Sequence, residues 1–99
     1  MKKALWILYD IVLDEDLTTL LDGHQVTGYT RWPRLSGKGP KSGARLDSHV
    51  WPGANAAILT VQDEAMVDLL MKDLQALRDD VGGLTGVWAF TTPVLDLLK

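Results

Sequence analysis

A four-stranded antiparallel sheet backed by two helices, an α+β fold, is predicted by three observations. Two segments repeat leucine and methionine at helical spacing. Four others gather β-branched, aromatic and leucine residues into short runs. These segments follow one another as strand, helix, strand, twice over. The length of 99 residues suits one domain with a single core, residues 1–99.

The first strand falls at about Lys3–Asp10, within KALWILYDIV. Two lysines before this apolar run give it a superficial likeness to a secretory leader. Asp10 breaks the run and no small-residue cleavage site follows, so a strand is the expectation. In DEDLTTLLDG the acids Asp14 to Asp16 suit a helix N-terminus, Leu13, Leu17, Leu20 and Leu21 share one face, and Gly23 is placed to stop the helix. QVTGYTRWPRL resumes a strand pattern, with Val26 and Trp32 on one face and Tyr29 and Leu35 on the other. Gly28 suggests a bulge or a close backbone approach, and Pro33 an edge position. NAAILTVQ, residues 55–62, is the third strand. DEAMVDLLMKDLQALRDD is the strongest helix: Met66, Leu70, Leu74 and Leu77 form a stripe widened by Val67 and Met71, with Asp63 and Glu64 at the N-terminal end. VWAFTTPVL is the fourth strand, ended by Pro93. The order βαββαβ is the ferredoxin-like arrangement, with both helices on one sheet face. Trp6, Tyr29 or Trp88 on the opposite face would need cover, and self-association is the simplest.

Charge is unevenly distributed. Residues 1–22 hold two lysines against five acids, and residues 50–99 three basic residues against seven acids. Residues 23–49 hold five basic residues against Asp47 alone, inside a chain of net charge -3. An acidic body with one basic segment points to a small anionic effector met at that segment, not to a nucleic-acid duplex. No apolar stretch approaches the ~20 residues that span a bilayer, so membrane insertion is not expected and a cytoplasmic location is. The absence of cysteine excludes disulfides, thiolate metal sites and cysteine nucleophiles.

From Ser36 to Gly53 no periodicity survives, and a structureless loop of about 15 residues is usually functional or disordered. Lys38, Lys41 and Arg45 can capture an anion beside glycine backbone N–H groups, or simply keep a solvated loop soluble. GKGPKSG lacks the spacing of a phosphate-binding Walker loop. Arg31 and Arg34 flank Trp32, where they can stack on aromatics, bind carboxylate or protect a sheet edge from aggregation. His24 and His49, with Asp47, could supply metal ligands, but no close-spaced ligand pair supports a metal site. His24 also stands where a cation stabilises a helix C-terminus. Trp51, in HVWPG, can anchor the loop or stack on a base or a partner's side chain. Ser36, Ser42 and Ser48 have no oriented base or oxyanion site in evidence, so the chain is not expected to be an enzyme.

VTGYT at Val26–Thr30, SGKG at Ser36–Gly39, a long loop and the close GVWAFTTPV at Gly86–Val94 together resemble the P-II signalling-protein superfamily. The resemblance implies a homotrimer whose loop, here about 37–52, docks onto a protein partner and changes shape with ligands. Arg34, His49 and Trp51 would serve that docking. It implies effector nucleotides bound in clefts between subunits, with Gly37 to Gly39 and the turn Gly82 to Val87, Gly86 included, on the cleft wall; Lys38, Lys41 and Arg45 from the anion reading, and Trp88, complete the expected ligand set. An adenine nucleotide is the ligand type it suggests; the alternatives are a metal-responsive protein of the same fold using His24 or His49, and a structural trimer without a small ligand. The chain departs from the family pattern in three places: the loop has no tyrosine between Ser36 and Ala54, Trp88 replaces a lysine, and LDLLK replaces basic residues after the final Pro-Val.

Overall fold

The structure, a computed structural model, describes residues 1–39, 43–45, 54–82 and 86–98, with the backbone alone for residues 39 and 43–45. In chain order the elements are β1 (Lys2–Asp10), a 3-10 turn (Ile11–Leu13), α1 (Asp14–Gly23), β2 (Thr30–Leu35), β3 (Gly37–Gly39), β4 (Gly43–Arg45), β5 (Asn55–Asp63), α2 (Glu64–Val81) and β6 (Val87–Pro93). The main sheet has the order β2-β5-β1-β6 with antiparallel pairing throughout, which is the expected ferredoxin-like topology.

Strand alternation divides β1 between two environments. Leu5, Ile7 and Tyr9 are buried against the helices, in one core with Leu17 and Leu21 of α1 and Val67, Leu70 and Leu74 of α2. Each such side chain contributes about 1.5–3 kcal/mol by leaving water. The intervening Ala4, Trp6 and Leu8 point to the other face. The lone buried hydroxyl of β5, on Thr60, donates to the Gly28 carbonyl at 2.7 Å and accepts from Gln62 at 2.9 Å.

Several expectations change. The segment 26–29 precedes the ladder, and β2 begins only at Thr30. The chain leaves α1 through a turn at His24–Gln25, with Gln25 at φ 60° and the Val26 N–H donating to the Leu21 carbonyl at 3.0 Å. Val26 and Tyr29 therefore pack with the core, while Trp32 lies on the opposite face. The left-handed residue is Gln25, two positions beyond Gly23. A Cβ on Gly28 would meet nothing within 4 Å, and the irregularity in β2 falls between Trp32 and Leu35, at Pro33. Pro33 does lie on an edge strand, as its missing N–H demands. The 3-10 turn was not foreseen: Asp10, almost fully buried, caps it by accepting from the Val12 N–H at 3.0 Å.

The stretch after Ser36 is also more regular than its lack of periodicity implied. β3 and β4 form a two-stranded ladder, pairing Gly37 with Arg45, Lys38 with Ala44 and Gly39 with Gly43. A ladder of backbone hydrogen bonds needs no alternating side chains, so glycine-rich sequence hides it from a periodicity argument. Lys41, Ser42, Asp47, Ser48, His49 and Trp51, all named above, lie outside the described residues.

Candidate functional site

Antiparallel register gathers four strand ends at one end of the sheet. Leu35 pairs with Asn55, Asn55 with Asp10, and Tyr9 with Val87. The Asp10 N–H donates to the Gly86 carbonyl at 2.9 Å, and the Ile11 N–H to the Ala54 carbonyl at 3.0 Å. Gly37 and Gly86, 49 positions apart in sequence, are thus brought to the same end of the molecule. They are not brought into one pocket. Each stands beside an opposite edge strand, three strand spacings or about 14 Å apart.

Gly37 opens the β3–β4 ladder under steric constraint: a Cβ there would come within 3.0 Å of the Asn55 side-chain nitrogen. Lys38 follows with its side chain exposed. The side chain of Arg45 and the whole of Lys41 are outside the described residues, so of the basic trio only Lys38 is placed in full. Asn55 and Asp10, which hold this end together, were missed as site residues; their position at strand ends next to glycine loops is the signal that could have found them.

Trp88 belongs to a different surface. Residues directly opposite one another across the strands form two rows on the helix-free face: Trp32, Ala57, Leu8, Trp88, and beside it Thr30, Leu59, Trp6, Phe90. Trp6 stacks on Phe90 with centroids 6.0 Å apart, and Trp88 tilts against Phe90 at 5.2 Å. Trp88 is 59% exposed. Because Ala57 is small, an apolar depression of about 270 Å³ opens between Trp32, Leu35, Leu8 and Trp6. The indole N–H of Trp6 is buried with no acceptor among the described residues. A water-exposed face this aromatic has the composition of an interaction surface.

At the root of β2, Arg31 binds both Asp14 carboxylate oxygens through one guanidinium edge, Nε and Nη2, and the buried Tyr9 hydroxyl donates to the same carboxylate at 2.6 Å. Arg31 thus takes a carboxylate partner inside the chain. Its hydrogen bonds hold the Asp14 carboxyl below the usual carboxylate range, partial burial opposing them and the Tyr9 hydroxyl adding to them. Burial first, then the Asp14 carboxylate, push the Tyr9 phenol well up.

The Nε2 of His24 contacts the Asp73 carboxylate, joining the end of α1 to α2. No group of three or more potential metal ligands occurs among the described residues. No helix among them is long and apolar enough to cross a membrane.

No family model and no curated protein matches the chain. Solved structures do. CPII of Thiomonas intermedia K12, a nitrogen regulatory PII-like protein bound to ADP, AMP and bicarbonate, is 27% identical with a TM-score of 0.71, over 94% of this chain and 87% of that one. The same protein bound to ADP and bicarbonate is 29% identical, with a TM-score of 0.69 over the same shares. A putative PII-like signalling protein of Thermus thermophilus shares the fold at 21% identity and a TM-score of 0.67, over 92% of this chain and 84% of that one.

Proposed function

We propose that this chain, a divergent PII-like protein, is a self-associating regulator that binds a small anionic effector of the nucleotide type and reports it through the 37–52 loop to a protein partner. One observation carries the reading. The two glycine stretches, at Gly37–Gly39 and Gly86, lie at the same end of the sheet but beside opposite edges. A ring of copies would bring the β2 edge of one chain against the β6 edge of the next and join the two halves of the site. A homotrimer has that cyclic symmetry. The aromatic rows of Trp32, Trp6, Trp88 and Phe90 supply the apolar area such an assembly needs.

In this arrangement Gly37 and Gly86 offer backbone donors and Lys38 charge, and Lys41 and Arg45 follow within the same loop. The nucleotides and bicarbonate bound by CPII make adenine nucleotides and bicarbonate the first ligands to try. Trp88, where family members carry a lysine, lies on the aromatic face and adds to the assembly surface in place of charge. Ligand contacts that order the loop in one of two arrangements would then bias partner binding.

Titration calorimetry of the purified chain with ADP, AMP, ATP and cyclic AMP, each with and without bicarbonate, tests this. Micromolar binding that weakens about tenfold in Lys38→Ala, as loss of one charge-assisted contact would give, supports it. Silence toward every nucleotide would remove the effector reading and leave a protein-interaction module.

A further inference from the structure

The strand that leads into the loop has almost no core of its own. In β2 the residues Thr30 to Arg34 are exposed and Leu35 is half-buried, whereas β1 and β5 each bury several side chains. The outer edge of β2 has no paired strand among the described residues. Its ladder to β5 is regular over Thr30, Arg31 and Trp32 and then broken at Pro33. With so little apolar burial to hold it, such a strand opens locally at low cost unless something else ties it down.

The tie is polar. Arg31 stands opposite Ile58, a helix-side core residue, so its side chain faces the layer where Asp14 opens α1. Its Nε and Nη2 donate to the two Asp14 oxygens, and Tyr9 of the inner strand β1, 1% exposed, donates to the same carboxylate. A lone surface ion pair holds little, but a two-point guanidinium contact on a carboxylate oriented from the core is of the stronger kind. Downstream the chain is stiff. Pro33 has a fixed φ, Leu35 pairs with Asn55, and Gly37 packs so closely on the Asn55 side chain that it has no room for a Cβ. Where β2 sits therefore decides where Gly37 and Lys38 sit.

We infer that Arg31 and Asp14 are positioning residues for the β2-side half of the effector site: they fasten an edge strand that has no fully buried side chain, and so place the entry to the loop. The fastening stands on geometry alone, and its effect on the effector rests on the function proposed above. Arg31, engaged by Asp14, acts through the strand. A direct contact between Arg31 and an anion predicts the opposite behaviour in one variant. Asp14→Asn frees the guanidinium and removes a negative charge, both of which favour an anion met directly. Positioning predicts weaker binding there, because β2 is loosened.

Hydrogen exchange of the full chain, read by mass spectrometry, tests the fastening without any ligand. In Arg31→Ala, peptides covering residues 30–35 should exchange at least about tenfold faster than in wild type, with β1 and β5 unchanged and Arg31→Lys in between. Unchanged exchange over 30–35, or an acceleration shared equally by β1 and β5, would overturn the fastening. Calorimetric titration with ADP, and separately with bicarbonate alone, tests the positioning. Arg31→Ala and Asp14→Asn should each weaken whichever of the two binds by about tenfold. Binding to Asp14→Asn as tight as to wild type, or tighter, would overturn the positioning and leave the proposed function standing. A wild-type chain silent to both ligands would overturn the effector reading and the positioning together, while the exchange result would still decide the fastening.

Discussion

Arg31 and Asp14, 17 positions apart, are joined by two parallel hydrogen bonds, Nε to Oδ1 at 2.9 Å and Nη2 to Oδ2 at 2.8 Å. With Tyr9 on the same carboxylate, the cluster ties β1, the first turn of α1 and edge strand β2 together just before the chain enters the loop. Removing the Tyr9 hydroxyl in Tyr9→Phe should cost about 1.5–3 kcal/mol in chemical denaturation, the worth of one hydrogen bond to a charged acceptor. Arg31→Lys keeps the charge but cannot span both oxygens. Melting temperatures should therefore fall in the order wild type, Arg31→Lys, Arg31→Ala. A lysine variant as stable as wild type would show the paired geometry to be unimportant.

The same carboxylate shapes the acid response. Its folded pKa lies below the unfolded value, so its contribution is fully present above about pH 4, the unfolded carboxylate range, and is lost as pH falls through the lower folded value. Asp14→Asn should be less stable than wild type at neutral pH, and the gap should narrow in acid. Denaturation midpoints measured between neutrality and the acid limb check this, and a gap independent of pH would contradict it.

Trp6 carries a buried N–H without an acceptor among the described residues. In the separated chain, Trp6→Phe should change stability by less than about 1 kcal/mol, because lost apolar area is offset by removing an unsatisfied donor. The variant should keep the stacked contact with Phe90. A loss well beyond that range in dilute, dissociated protein would show that the indole nitrogen has a partner.

Gln25 holds φ 60° at the exit from α1. A side chain costs roughly 1–2 kcal/mol in the left-handed region, part of which glycine returns as backbone entropy in the unfolded chain. Gln25→Gly should therefore stabilise by up to about 1 kcal/mol, seen as a higher urea midpoint with an unchanged slope.

Where periodicity is strong the sequence was legible. Leu17 and Leu21 of α1, and Val67, Leu70 and Leu74 of α2, are buried as their spacing required. The turn from α1 into β2 was harder to read, because Val26 and Tyr29 alternate plausibly yet follow a tight turn that resets which way they face. The β3–β4 ladder was invisible because its pairing is a property of backbone alone. The Arg31–Asp14 and His24–Asp73 pairs join residues whose separation in sequence says nothing about contact.

Local pattern by itself therefore determined the element order, the two amphipathic helices, the concentration of positive charge between residues 23 and 49, and the absence of cysteine chemistry. These are consequences of side-chain type and short-range spacing, which a linear chain displays directly. Tertiary structure decided which distant residues share a surface. Strand register aligned Trp32, Ala57, Leu8 and Trp88 in one row, and brought Gly37 and Gly86 to one end of the sheet beside opposite edges. Register is set by packing one sheet face against two helices, a condition that many residues satisfy jointly and none encodes alone.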